Sequence, residues 1–146
     1  NVTFGEAKAL TTIGDNAFEG CISLQHVEFA TGSALYYIGK EAFMESGVSV
    51  VDLAGTKVTE IGFSAFEGCV SLAELTLPEK IKFININAFY GCTNLSNVKV
   101  SGNENNITFI GSNAFYNCKF DRSDIEARAA EGATIESDAF LNCAKA

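Results

Sequence analysis

The dipeptide Ala-Phe occurs six times in this chain, at 17–18, 42–43, 65–66, 88–89, 114–115 and 139–140. Successive copies are 25, 23, 23, 26 and 25 residues apart. A period in the twenties constrains the fold more than any other feature, because one such unit cannot bury its apolar face alone and must stack on its neighbours. Each copy carries the same surroundings. Ile stands five residues before the Phe, as Ile13, Ile38, Ile61, Ile84, Ile110 and Ile135. The next residue is Gly14, Gly39, Gly62, Asn85, Gly111 or Glu136. Three residues after the Phe comes Cys21, Ser46, Cys69, Cys92, Cys118 or Cys143. An alternating apolar run follows: Leu24-Val27-Phe29, Val48-Val51-Leu53, Leu72-Leu75-Leu77 and Leu95-Val98-Val100. In the fifth copy Phe120, Ser123 and Ile125 take those places.

The last two apolar positions of each run are spaced by two, which predicts a short strand with one buried face. Stacked units line such strands into a parallel sheet with identical residues in register. Loops of variable length follow at 30–34, 54–57, 78–80, 101–106 and 126–134. A second extended piece then ends at the Ile. Gly or Asn after the Ile predicts a backbone with φ > 0. Ala-Phe-x-x-Cys predicts about one helical turn, ended by Gly20, Gly68, Gly91, Asn117 or Asn142 in a left-handed cap. Glu45 departs from that rule. The structural ladder is then Phe18, Phe43, Phe66, Phe89, Phe115 and Phe140 stacked along the middle, with Cys21, Cys69, Cys92, Cys118 and Cys143 as small apolar plugs.

The expected architecture is a repeat solenoid of about six coils of 23–26 residues, a parallel β-ladder with short helical turns. Its repeats fall around 13–29, 38–53, 61–77, 84–100, 110–125 and 135–146, within one solenoid unit over 1–146. Val2-Thr3-Phe4 reads as the end of a strand from a preceding coil, so the chain is expected to be a piece of a longer array.

Residues 72–92, LAELTLPEKIKFININAFYGC, carry a family pattern that includes Leu77-Pro78. The chain resembles the BspA-like leucine-rich repeat over residues 10–143. Departures are Ser46 for Cys, Asn85 and Glu136 for Gly, a single Pro and the 126–134 insert. The resemblance implies a leucine-rich-repeat solenoid. It also implies a cell-surface or secreted protein of the kind found on anaerobic bacteria and parasitic protists, adhering to host matrix proteins or to other cells.

Charge narrows the partners. The chain has 18 acidic and 10 basic residues, a net charge of −8. That argues against nucleic acid, which needs a basic footprint. No apolar run approaches the ~18 residues that read as a membrane span. The five cysteines lie one per coil with no Cys-x-x-Cys pair, which is not zinc spacing. They read as buried free thiols, although ladder neighbours leave a disulfide geometrically conceivable. His26, the only histidine, is expected on an exposed strand face beside Glu28, near Asp52 and Glu74. A solvated polar face is the simpler reading there than a metal site. No cofactor is expected, and no constellation points to an enzyme. The tripeptides beginning at Asn1, Asn94 and Asn106 are potential glycan acceptors. Whether a glycan is a partner is open.

A solenoid without catalytic groups offers extended surface to a protein partner. The candidate partner surface on the strand ladder is His26, Glu28, Asp52, Glu74, Thr76, Asn97 and Lys99, flanked by Val50, Arg122 and Asp124. A second set drifts apolar along the chain, with Phe83 and Phe109 before the Ile and Tyr90 and Tyr116 after the Phe. Exposed aromatic clusters mark interaction sites, and packing onto neighbouring coils is the competing reading. Two functions fit: a surface adhesion or recognition module, or an intracellular scaffold component that uses the solenoid surface or its ends.

Overall fold

The computed structural model describes residues 1–5 and 8–144. Its strands are β1 (Val2–Phe4), β2 (Thr12–Ile13), β3 (His26–Phe29), β4 (Tyr37–Ile38), β5 (Val50–Asp52), β6 (Glu60–Ile61), β7 (Glu74–Leu77), β8 (Phe83–Ile84), β9 (Asn97–Val100), β10 (Ile107–Ile110) and β11 (Ala129–Ile135). Among the described residues there is one four-residue helix, α1, over Ser123–Glu126. The strands form two parallel sheets in register, ordered β1-β3-β5-β7-β9 and β11-β10-β8-β6-β4-β2. The first four coils each add a strand to both sheets and the last two add one to the second sheet only, so the parallel solenoid of about six turns follows from the repeat.

The inner face of each sheet is built from one repeated position. Val27, Val51, Leu75 and Val98 are buried on the first sheet, and Ile13, Ile38, Ile61, Ile84 and Ile110 on the second. Between them runs the phenylalanine column. Phe18, Phe43, Phe66, Phe89, Phe115 and Phe140 stack with ring centroids 5.0–5.4 Å apart. Burying one such ring contributes roughly 1.5–3 kcal/mol. Phe4 packs edge-on against Phe18, and Phe120 against both Phe115 and Phe140.

The Ala-Phe-x-x-Cys segments are tight turns, not helical turns. Bonds spanning three residues fold them, such as Cys69 N–H to the Phe66 carbonyl. Their remaining donors point along the stack instead of along a helix axis. Phe18 N–H bonds the Ala42 carbonyl, Phe43 the Ala65, Phe66 the Ala88, Phe89 the Ala114 and Phe115 the Ala139, all at 2.6–2.8 Å. The turns thus make a third inter-coil ladder, and a helix would have spent the same donors internally. The cap residues Gly20, Gly68, Gly91, Asn117 and Asn142 do take positive φ, and Glu45 takes it as well at 54°.

The glycine after each Ile has a different role from the one expected. Gly39, Gly62 and Gly111 do not adopt positive φ. Space is what they save: a Cβ on Gly62 would lie 2.7 Å from the Gly39 carbonyl carbon and 2.8 Å from the Lys40 nitrogen. Asn85 in this position is buried, and both its backbone N–H and its Nδ2 donate to the Ile61 carbonyl.

Two further expectations change. In the fifth coil Ser123 and Ile125 lie in α1, not in a strand. Asp121 accepts the Ser123 N–H at 2.9 Å and Arg122 pairs with Glu126 one turn on, which favours a local turn over a ladder. Arg122 and Asp124 therefore leave the strand face, while Phe120 and Ile125 stay buried. Most of the 126–134 segment is strand rather than loop. The step Ala129–Thr134 in β11 faces the step Ile107–Phe109 in β10, so the extra residues bulge, with Gly132 at φ 77° inside the bulge. Ile110 and Ile135 then pair in register.

Candidate interaction surfaces

Pleating turns alternate residues of the first sheet outward. His26, Val50, Glu74 and Asn97 are register partners across β3, β5, β7 and β9. Asp52, Thr76 and Lys99 form the next row, and Glu28 pairs with Thr3 of β1. The face is thus acidic over the early coils and carries Lys99 at the late end. Asp52 accepts the Ala54 N–H at 2.9 Å, which fixes its carboxylate at the loop entrance. A surface cavity of about 500 Å³ opens between β3 and β5, with His26, Glu28, Val50 and Asp52 in its lining. A second, of about 380 Å³, lies between Lys99 and the α1 side, where Asp124 and Arg128 face it. Among the described residues, no three His, Cys, Asp or Glu side chains come together as a metal-binding group.

The outward position of the second sheet reads Thr12, Tyr37, Glu60, Phe83, Phe109 and Thr134, all cross-strand partners. Burial raises the pKa of Tyr37, with Asp15 and Glu60 adding to the shift. Phe83 is exposed and Phe109 half-buried. Tyr90 and Tyr116 stack at 4.7 Å with planes 8° apart, and Asn142 Nδ2 donates to the Tyr116 hydroxyl. Both tyrosines are half-buried by this packing. The structure does not bring Phe83 and Phe109 onto the same ladder as Tyr90 and Tyr116; the former lie on the second sheet and the latter on the turns.

Sequence reasoning passes over Phe63 and Ile86. Both are exposed and occupy the same rung of the turn ladder on consecutive coils. Ile22 and Val70, each following a Cys, are also exposed. The signal is present in the segment Ile61–Cys69, where two Phe stand three apart and only one can be the core ring.

The cysteines are thiols among the core groups. Cys69, Cys92 and Cys118 donate their S–H to the carbonyls of Phe43, Phe66 and Phe89 at 3.0, 3.1 and 3.4 Å. Burial pushes Cys69 up to about 11 and raises Cys92 and Cys118 as well. Cys143 is half-buried, and Cys21 is exposed rather than a buried plug, because no described coil covers the turn on its outer side. Of the potential glycan acceptors, Asn106 uses its Nδ2 to bond the Glu79 carbonyl and the Glu104 carboxylate, tying two loops together. The Asn94 Nδ2 bonds the Val70 carbonyl, and Asn1 is exposed. Lys80 meets Glu104 at 2.9 Å.

Two parallel in-register sheets on a repeat with recurring inward Leu, Ile and Phe positions define a leucine-rich-repeat solenoid. The chain belongs to the BspA type leucine rich repeat family, whose profile matches residues 11–146 in six copies. Among solved structures it is similar to the pneumococcal vaccine antigen PcpA, at 24% identity and a TM-score of 0.62 over 94% of this chain. It is also similar to a leucine-rich repeat protein from Bacteroides ovatus, at 20% identity and a TM-score of 0.49 over 92% of this chain. The chain spans 30% of the first and 53% of the second. A search of curated proteins finds no match. Leucine-rich repeats are generally protein-binding modules, and no enzyme family is indicated. Among the described residues, no helix is long and apolar enough to cross a membrane.

Proposed function

We propose that this solenoid is a non-catalytic recognition module of a cell-surface or secreted protein, binding proteins of a host or of neighbouring cells. One observation carries the reading. The outward rows His26–Val50–Glu74–Asn97 and Asp52–Thr76–Lys99 run unbroken across adjacent parallel strands. A partner can therefore read several coils at once, which is how a repeat array gains affinity from modest contacts. Glu28 belongs to the same face, and Phe83, Tyr90, Phe109 and Tyr116 extend the candidate surface onto neighbouring faces. Family membership supports the surface location and the adhesive role.

The test has two stages. Mild protease shaving of intact source cells should release peptides from residues 81–119 without lysis. The purified chain should then bind one or more immobilised matrix proteins, and Asp52→Asn with Glu74→Gln should weaken that binding while leaving the melt unchanged. Release only after lysis would overturn the surface reading and favour an intracellular scaffold.

A further inference from the structure

The second residue after each repeat Ile reads Asp15, Lys40, Phe63, Ile86, Ser112 and Ser137. Backbone bonds lock these positions into one row: Glu41 N–H to the Phe63 carbonyl at 2.9 Å and Ser64 N–H to the Ile86 carbonyl at 3.0 Å. Phe63 is 48% exposed and Ile86 40%. The fold does not require apolar side chains there, because Lys40 and Ser112 fill the same rung on either side. Further along the ladder Tyr90 and Tyr116 stack, and Leu141 is 50% exposed. Toward the chain start the same ladder is acidic. It carries Asp15, Glu19, Glu41, Glu45 and Glu67 against Lys40, which is paired with Glu41 at 3.4 Å. Asn16 Nδ2 donates to both Glu19 at 2.6 Å and Glu41 at 2.9 Å, gathering two carboxylates at one point. Over the first four coils the turn face thus grades from acidic to apolar, while the last coil carries Glu136 and Asp138 again.

We propose that this turn face is a docking surface for an extended segment of a partner protein with Lys or Arg at one end and large apolar side chains at the other. The cations lie over the Glu19 and Glu41 carboxylates, and the apolar end covers Phe63 and Ile86. The inference rests on the protein-binding reading and adds a second surface and a partner chemistry to it. Charge complementarity selects the occupant. An acidic segment would meet the carboxylates with like charge. A wholly basic one would leave Phe63 and Ile86 in water. Coils repeat at about 4.8 Å, so the coils of Phe18 and Phe115 are roughly 19 Å apart, which about six extended residues span.

The probe is a labelled synthetic peptide with arginines at one end and phenylalanine and leucine at the other, read by fluorescence anisotropy against the whole chain. Two control peptides replace the arginines by glutamate or the apolar residues by serine. The expected result is binding of the probe and about tenfold weaker binding of each control. Phe63→Ser with Ile86→Ser, and Glu19→Gln with Glu41→Gln, should each weaken the probe about tenfold. Salt should weaken the wild type more than the Glu→Gln pair. Lys40→Glu removes the cation from the acidic end and should tighten binding several-fold, which keeps the test open even where an apolar variant folds poorly. No binding of the probe, equal binding of all three peptides, or indifference to both variant pairs overturns the proposal. Loss through Asp52→Asn and Glu74→Gln instead would move the site to the strand face, leaving the recognition reading standing while this surface falls.

Discussion

Phe43 and Phe66 lie ring over ring, with centroids 5.0 Å apart and planes within 4° of parallel. Phe66 has the same relation to Phe89 on its other side, at 5.1 Å and 3°. A ring so enclosed is both core and connector, because it belongs to one coil and packs on two. Phe66→Ala leaves a cavity that backbone ladders on three sides prevent from collapsing, so the expected loss is about 3–5 kcal/mol. Phe18→Ala should cost less, since Phe18 is only half-buried. Chemical denaturation of both variants checks this. A loss under about 1 kcal/mol for Phe66→Ala would sink the view that the column holds the stack.

Gly62 tests the reading of the corner. Its Cβ would press on the Gly39 and Lys40 backbone, which cannot give without parting two coils. Gly62→Ala should therefore destabilise by roughly 1–3 kcal/mol. Nothing lies within 4 Å of a Cβ on Gly14, and its φ is not positive. Gly14→Ala should be neutral or gain a few tenths up to about 1 kcal/mol through the unfolded chain. Equal effects at both sites would mean that conformational freedom, not coil spacing, selects the glycine.

Gly62 also marks the boundary between what is legible in the sequence and what is not. The period, the parallel register and the inward Val, Leu and Ile positions can be read, because spacing and side-chain period determine them. The reason for Gly62 cannot, since a close approach and a positive φ both forbid a Cβ and leave the same letter. The turn ladder reads as helix for a similar reason. Bonds spanning three residues look alike in either, and only the next coil shows that Phe66 donates outward to Ala88. Residues 129–134 read as a loop because Glu131 and Gly132 break the apolar alternation. β10 recruits them regardless, since an unpaired strand edge accepts an imperfect partner with a bulge. For the candidate surfaces, the rows of outward residues can be set out by register alone. Phe63 and Ile86 escape notice because an apolar residue beside a core motif is readily assigned to the core.

The thiols give a chemical check. Cys69, Cys92 and Cys118 are buried and Cys21 is exposed. Near neutral pH a thiol reagent should react quickly with Cys21, more slowly with Cys143, and with the other three only on unfolding. Mass mapping of the labelled sites decides it, and rapid labelling of Cys92 would contradict the buried ladder.

The same thiols predict a pH dependence. Cys69 is raised by burial from 9.0 to about 11, and Cys92, Cys118 and Cys143 also move up. The fold holds the neutral thiol more tightly than the unfolded chain does. Their contribution is therefore fully present below about pH 9 and is lost as pH rises through the raised folded values. Denaturation midpoints under reducing conditions should hold steady approaching that pH and fall above it. Replacing Cys69 by Ser should soften the fall, because the neighbouring coil already uses Ser46 on the same rung and a hydroxyl does not ionise there.

Tyr90 and Tyr116 supply the last test. Their rings stack at 4.7 Å, and Asn142 reaches the Tyr116 hydroxyl at 3.2 Å. Half-buried rings in contact should share stabilisation instead of contributing separately. Tyr90→Ser and Tyr116→Ser should each destabilise modestly, and the double variant by less than their sum, with a coupling of about 0.5–1.5 kcal/mol. Tyr116→Phe keeps the stack and loses only the bond from Asn142, so it should cost well under about 1 kcal/mol. Strict additivity in the cycle would mean that the two rings sit side by side without supporting each other, leaving both free to serve a partner. The expected coupling means that the two rings form one preformed unit, so a partner docking on them as proposed would not have to order them on binding.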